Sequence, residues 1–289
     1  MEETSTSTPG RRNEGTGRSI GAILIDSGRL STEAAEKILR EQKEKGMRFG
    51  DAGLSLGVIT PEDIQFALSR QFDYPYLTVG ESRVDQRLVA AYKPFNQEVE
   101  SLRALRSQLM LRWFGERKCL AIASPGRGEG RSFLAANLAI VFSQLGEHTL
   151  LIDADMRNPR QHQLFGLENR SGLSEILAGR GGQEAVQRIA EFKDLSVLTA
   201  GAPPPNPQEL LARPQFAQLL DDSSREYDVV LLDTSAAHLS ADTHAVAVRS
   251  GGALLVARRN YSIVSQVAAV RSSLEESGVT IVGSVLNDF

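Results

Sequence analysis

From Phe95 to Phe289 the chain alternates short, continuously apolar runs with amphipathic stretches, and no other feature limits the possible folds as much. The runs are KCLAIAS, HTLLIDAD, LSVLTAG, DVVLLDTS, GALLVARR and VTIVGSVLN. Strands buried on both faces read this way, and parallel pairing needs a helix-sized crossover between one strand and the next. The expected fold class is α/β, with a mostly parallel sheet flanked by helices. A chain of 289 residues suggests about two domains, so the stretch before Phe95 has room for a second, smaller one.

Composition removes several function classes. Hydrophobic residues at 41% and charged residues at 24% are ordinary for a soluble globular chain. The net charge of −4 argues against a nucleic-acid partner. Cys119 is the single cysteine, so no intrachain disulfide can form, which fits a reducing compartment. No run of about 18 apolar residues offers a membrane span, and the opening MEETSTSTPGRRNEGTGR lacks the apolar core of a secretory signal. The expected location is cytoplasmic, with any membrane role supplied by a partner.

Four segments are expected. Residues 1–18 have almost nothing to bury and read as a disordered tail. Residues 19–79 read as a helical tandem-repeat domain, 80–94 (GESRVDQRLVAAYKP) as a linker, and 95–289 as the α/β domain. The tandem repeat aligns Ser19 with Arg48, and so pairs Gly21 with Gly50, Gly28 with Gly57, Leu39 with Leu68 and Gln42 with Gln71. Each copy reads as a short helix, a glycine turn, a capped start (Ser31-Thr32-Glu33 or Thr60-Pro61-Glu62) and a longer helix. Leu30, Ile38 and Leu39 in one copy and Ile59, Ile64 and Leu68 in the other are expected to share a core.

This repeat resembles the N-terminal domain of type II secretion and pilus ATPases. In the MshE branch of that group, two motifs of the form RLGxxLxxxGx6LxxxLxxQ, separated by five residues, bind cyclic di-GMP. Here the spacer is KEKGM. The second copy keeps Arg48, Gly50, Gly57, Ile64, Leu68 and Gln71, with Gly53 in place of a leucine. The first has Ser19 at the arginine position, beside Arg18, and Ala35 for a leucine. Arginine can stack on guanine and pair with phosphate through its planar fork, whereas serine can do neither. The resemblance implies cyclic di-GMP as a ligand of residues 19–71.

The segment SPGRGEGRSFLAANLA follows the first apolar run and opens a helical stretch. Strand, glycine loop, helix is the order of a phosphate site. Gly126, Gly128 and Gly130 let backbone N–H groups approach phosphate oxygens, and the helix N-terminus adds its positive dipole end. The candidate cradle is Gly126, Arg127, Gly128, Glu129, Gly130, Arg131, Ser132 and Phe133. Ser132 stands where a P-loop hydroxyl meets magnesium, and Arg131 stands where the lysine belongs. Arginine keeps the charge but is longer and planar, so the exchange is not conservative. Two further junctions bring carboxylates to strand ends, Asp153 and Asp155 in LLIDADMRNPR and Asp233 in DVVLLDTSA. Buried carboxylates need a cation or an arginine beside them, and open parallel sheets bind ligands at this edge.

Taken in order, SPGRGEGRS, LLIDADMRNPRQHQLFG, GLSEILAGR, GAPPPNPQELLARPQF, YDVVLLDT and VGSVLN resemble the bacterial tyrosine kinases of the CpsD/CapB type, a deviant P-loop group that includes MinD and ParA. With the N-terminal repeat, the chain looks like the EpsG kind of chain-length-determinant tyrosine kinase. The resemblance implies a P-loop NTPase-like sheet, ATP and Mg2+ as cofactors, and phosphorylation of protein tyrosines. It assigns magnesium to Ser132, Asp153 and Asp233, and activation of the attacking tyrosine to Asp153. Asp155 is the second aspartate of that motif, and Arg131 sits at the catalytic lysine. It also matches Glu100, Arg103 and Arg106 to an ExxRxxR oligomerisation motif, whose spacing sets all three on one helical face. The implied partners are a membrane-embedded polysaccharide co-polymerase and further copies of the chain.

Three departures stand out. Arg131 replaces lysine. DTSAA replaces DTPP, which is expected to loosen the loop after Asp233. The tyrosines Tyr74, Tyr76, Tyr92, Tyr227 and Tyr261 are scattered, where the family carries a C-terminal cluster, so tail autophosphorylation of the usual kind is not expected. Kinase activity regulating exopolysaccharide polymerisation and chain length is the first reading; a nucleotide-switched regulatory ATPase or binding protein is the second.

Overall fold

The computed structural model describes residues 18–72, 75–80 and 82–289. The tail expected over residues 1–18 lies outside these apart from Arg18. The chain forms two compact units, Met1–Tyr74 and Pro75–Phe289.

In the first unit each copy of the repeat becomes a short helix and a longer one, α1 (Ile20–Asp26) and α2 (Thr32–Lys45), then α3 (Phe49–Ser55) and α4 (Pro61–Gln71), with α1 packed on α4 and α2 on α3. Ser31 caps α2 through the Ala34 N–H, and Thr60 and Asp63 close a reciprocal capping box on α4. The turn glycines Gly28 and Gly57 both adopt left-handed φ, at 70° and 64°. Leu30, Ile38 and Ile59 are buried as expected, and Ile64 packs against them, but Leu39 is 47% exposed. Gly53 accounts for the lost leucine: a Cβ there would lie within 2.6 Å of the Ile59 side chain. The Ile59 and Ile38 side chains fill the space that a larger residue would need.

The second unit holds a seven-stranded sheet, β1 (Cys119–Ser124), β2 (Thr149–Asp153), β3 (Val186–Arg188), β4 (Leu195–Leu198), β5 (Val229–Ala236), β6 (Gly252–Arg258) and β7 (Thr280–Asn287). Its spatial order is β3-β4-β2-β5-β1-β6-β7. All pairs are parallel except β3 with β4. The six apolar runs are the six parallel strands. The short edge strand β3 carries no apolar run and was not legible.

The helices of this unit are α5 (Val89–Tyr92), α6 (Gln97–Leu109), α7 (Arg131–Ser143), α8 (Gln161–Leu164), α9 (Leu173–Leu177), α10 (Pro207–Ala212), α11 (Pro214–Glu226), α12 (Asp242–Ser250) and α13 (Val264–Glu276), with a short π-helical turn over Met110–Phe114 after α6. Two apolar cores lie on the two faces of the sheet. Helix α7 is buried nearly all round, so its outer side also needs cover. The segment 80–94, expected as a linker, supplies it. Leu88, Ala90, Ala91 and Tyr92 are buried in the core around α7, the Ala90 N–H donates to Asn137 Oδ1 at 2.9 Å, and Gln144 Nε2 donates to the Ala90 carbonyl at 3.0 Å. No helix among the described residues is long and apolar enough to cross a membrane.

Candidate nucleotide and cation site

The glycine loop joins β1 to α7 at the C-terminal edge of the sheet. Gly128 and Gly130 hold φ of 73° and 93°, which other residues rarely adopt. Gly130 is the N-cap of α7 and no side chain caps that helix. Its first N–H groups therefore face the loop without a capping partner, the arrangement that binds anions. Other strand ends hold the loop from outside: Asn287 Nδ2 donates to the Glu129 carbonyl at 2.8 Å, Arg258 Nη1 donates to the Gly128 carbonyl at 3.2 Å, and the Ser262 hydroxyl donates to the Glu129 carboxylate. The other Glu129 carboxylate oxygen accepts the Gly126 N–H at 2.6 Å. Arg127 is exposed, and the Phe133 side chain packs partly against the core, so Phe133 can meet a ligand here only through its backbone.

Arg131 is buried. Its Nε donates to the Thr234 carbonyl at 2.9 Å, and its Nη1 donates to the Gly126 carbonyl at 2.6 Å and to the Ser124 hydroxyl. The guanidinium thus ties the loop to β1 and β5. A lysine ammonium lacks the planar fork that reaches three acceptors in this way.

Asp153 and Asp233 are partners in register on the adjacent strands β2 and β5, and both are fully buried. Asp153 accepts the N–H groups of Asp155, Arg160 and Gln161 at 3.2, 2.9 and 2.9 Å. Burial and then the neighbouring Asp233 charge raise its pKa well above the usual carboxylate value. Asp233 is raised to about 6 by burial, against the opposing pull of the Arg131 charge and the Ser132 and Gln161 side chains. Asp155 is buried and its Oδ1 accepts the Asn158 N–H at 3.0 Å, which ties its carboxylate into the turn.

A hydrated divalent cation fits this edge. Asp233 Oδ1 is buried and completes no hydrogen bond among the described residues, and two carboxylates side by side call for positive charge. Among the described residues no three His, Cys, Asp or Glu side chains form a metal cage. Magnesium in phosphate sites needs none, because phosphate oxygens and water complete its shell around one or two carboxylates.

No family model matches the chain. Among curated relatives, CapB of Staphylococcus aureus is 35% identical over 196 residues, covering 68% of this chain and 86% of CapB. Bacterial tyrosine-protein kinases are the family to which the chain belongs. EpsB of Ralstonia nicotianae is 35% identical over 237 residues, and this chain spans 31% of the length of that relative. The kinase domain of Escherichia coli tyrosine kinase ETK superposes with a TM-score of 0.68 at 33% identity, covering 75% of this chain and 85% of that domain. The chimerical protein CapA2B2 gives 0.67 at 32% identity over 79% of this chain and 98% of its own. The cell division ATPase MinD of Pyrococcus furiosus shares the P-loop fold, with a TM-score of 0.52 at 25% identity over 59% of this chain and 71% of its own.

Within this kinase-family chain, the ExxRxxR residues lie on α6, away from the loop in sequence. Arg103 Nη2 donates to the Pro94 carbonyl at 2.6 Å and Nη1 pairs with Glu100 at 3.1 Å. Arg106 Nη1 donates to the Val141 carbonyl near the end of α7 at 2.8 Å. Both arginines brace α6 against its own unit, while the Glu100 side chain is 72% exposed.

The loop after Asp233 is also tighter than DTSAA suggested. Strand β5 continues to Ala236, and the Ser235 hydroxyl lies 3.1 Å from that of Ser240 and 3.2 Å from that of Thr243. The Thr243 hydroxyl donates to the Ser235 carbonyl at 2.7 Å. Hydrogen bonds hold the loop here in place of proline rings. Two more residues escaped the sequence. Arg157 grips the buried Asp242 with Nε–Oδ2 2.6 Å and pins the loop after β2 to α12. Gln161 donates to Asp233 Oδ2 at 2.8 Å. Neither carries a spacing signal, because both meet their partners only through the fold.

Proposed function

We propose that the chain is an ATP- and Mg2+-dependent protein-tyrosine kinase that regulates exopolysaccharide polymerisation, export and chain length with a membrane-embedded co-polymerase. The observation that carries the proposal is the in-register pair Asp153 and Asp233 beside the uncapped N-terminus of α7. Backbone N–H groups of residues 128–133 would receive the phosphates, and Ser132, Asp153 and Asp233 would hold the cation. When bound, the cation neutralises charge on the transferring phosphoryl group. Asp153 would take the proton of the attacking tyrosine hydroxyl, as a buried carboxylate at the strand end beside the phosphate loop. Phosphotyrosine formed from labelled ATP by the purified chain tests this. Calorimetry showing no nucleotide binding, with magnesium present, would sink it.

The membrane partner is supported by kinship with CapB and with a chimera whose name joins CapA to CapB. With it, the proposed location is the cytoplasmic side of the inner membrane. Self-association through the α6 face is proposed on the exposed Glu100. For residues 19–71 the proposed ligand is cyclic di-GMP. Supporting it are the exposed Arg48 and a cavity of about 640 Å³ lined by Arg18, Asp26, Phe66 and Arg70, with the guanidinium of Arg29 4.3 Å from the Phe66 ring centroid. Titration of the wild type with that dinucleotide, giving no heat, would remove it.

One observation favours a second reading, a nucleotide-switched regulator without phosphoryl transfer: the Arg131 fork is engaged by Ser124, Gly126 and Thr234. Bound nucleotide without phosphotyrosine is its signature.

A further inference from the structure

Three elements of the site meet at a residue to which the sequence assigns no role. Gln161 opens α8 and is fully buried. Its backbone N–H donates to Asp153 Oδ2 at 2.9 Å, and its side-chain Nε2 donates to Asp233 Oδ2 at 2.8 Å and to the Ser132 carbonyl at 3.1 Å. One residue therefore touches the first turn of α7, the end of β2 and the carboxylate on β5.

The amide can be oriented in only one way. Rotating it by half a turn would set its oxygen against the Ser132 carbonyl and the Asp233 carboxylate, acceptor against acceptor. With Nε2 so placed, two oxygens remain. Gln161 Oε1 and Asp233 Oδ1 are both closed off from solvent and neither completes a hydrogen bond among the described residues, with the Ser132 hydroxyl close enough to Asp233 only to lower its pKa. One buried unsatisfied polar atom costs about 1–3 kcal/mol. Two of them, on side chains already hydrogen-bonded to each other and next to a second buried carboxylate, mark a place for something that donates hydrogens and carries positive charge. A water bound to a divalent cation does both.

We infer that Gln161 is an oxygen donor of the cation site: Oε1 accepts a hydrogen bond from a water of the hydrated ion, while Nε2 holds Asp233 so that Oδ1 is free for the same ion. The inference rests on the nucleotide-site reading above. A neutral amide oxygen competes poorly for magnesium itself, which dehydrates reluctantly and keeps several waters, so contact through water is the expected mode. Partners of this kind typically contribute 10- to 100-fold in metal affinity.

Mn2+ is a suitable probe, with free ion counted by electron paramagnetic resonance in the full chain, with and without ADP. Gln161→Met keeps the volume and loses the acceptor; it should bind Mn2+ about ten-fold more weakly. Gln161→Asn keeps an amide but draws its oxygen back by one methylene, and should also bind Mn2+ more weakly than wild type. Metal-free melting is recorded for each, because a purely structural glutamine would lower melting and leave Mn2+ affinity where it was. A folded Gln161→Met with wild-type Mn2+ affinity overturns the proposal. If that variant does not fold, Gln161→Asn decides, and wild-type Mn2+ affinity in it overturns the proposal. Wild type that binds no Mn2+ with ADP present would instead remove the nucleotide-site reading itself.

Discussion

At the sheet edge, Asp153 and Asp233 lie side by side with one carboxylate oxygen left unpartnered. On α6, Arg103 and Arg106 have acceptors within their own unit, the Pro94 and Val141 carbonyls. Both pairs come from short motifs, and both sit on the elements those motifs specify. They differ in what the rest of the fold brings to them. Strand ends at a parallel edge receive backbone donors and, at Asp233, the pull of an Arg131 whose own hydrogen bonds go elsewhere, so the carboxylates keep capacity for a ligand. A helix lying along α7 meets carbonyls at its neighbour's end and uses its arginines there. A motif thus fixes where a charged side chain starts, and the surrounding elements fix whether anything remains for a partner.

The sharpest way to break this comparison is Asp153→Asn. Phosphoryl transfer should fall by about 10²–10³-fold, because charge and positioning dominate this chemistry, while nucleotide affinity stays near wild type. Single-turnover transfer with parallel calorimetry checks both halves. Equal losses in the two would mean that Asp153 only shapes the loop.

A smaller effect should appear in the metal-free protein as pH changes. The folded-state pKa of Asp233, about 6, lies above its ordinary 3.8, and Asp153 is raised too. The folded chain then holds protons that the unfolded chain releases. Stability from Asp233 is fully present below about pH 4 and is lost as pH rises through about 6, on the order of 3 kcal/mol, and the raised Asp153 adds to the loss in the same direction. Urea unfolding across that window should show the fall. Asp233→Asn should remove most of it, and Mg2+ should stabilise wild type more at the upper end than at the lower.

On the arginine side, Arg106→Ala should lower stability by about 2 kcal/mol, since it leaves the Val141 carbonyl without its charged donor. Glu100→Ala should leave stability nearly unchanged, its pair with Arg103 being exposed on the glutamate side. Sedimentation of both sharpens the comparison: a mass change in Glu100→Ala with an intact unfolding curve assigns that face to assembly.

At the nucleotide site, Arg131→Ala should have a smaller effect than Asp153→Asn. As a brace of the loop, Arg131 should affect ATP and ADP alike, each weakened about ten-fold, or about 1.4 kcal/mol. Weakening confined to ATP, read by competition binding, would put the guanidinium on the γ-phosphate instead.

Periodicity and spacing alone determined the six parallel strands, the glycine loop between β1 and α7, the carboxylates at strand ends, and the paired helices with turns at Gly28 and Gly57. Each depends on local geometry: a continuous apolar run suits a strand buried on both faces, a left-handed turn suits glycine, and a strand's last residue faces the sheet edge in any parallel fold. Only the tertiary structure decided the rest. Residues 80–94 hold one apolar run, LVAAY, too short to be placed by periodicity, and it became core because α7 is apolar all round and needed a second cover. Ser235, unremarked as a serine, stiffens its loop only because Ser240 and Thr243 return beside it. Gln161 is one polar residue in a polar stretch until β2, β5 and α7 converge on it. Hydrogen-bond partners brought together from distant parts of the chain leave no mark in local sequence, because each residue is chosen for a neighbour that only folding supplies.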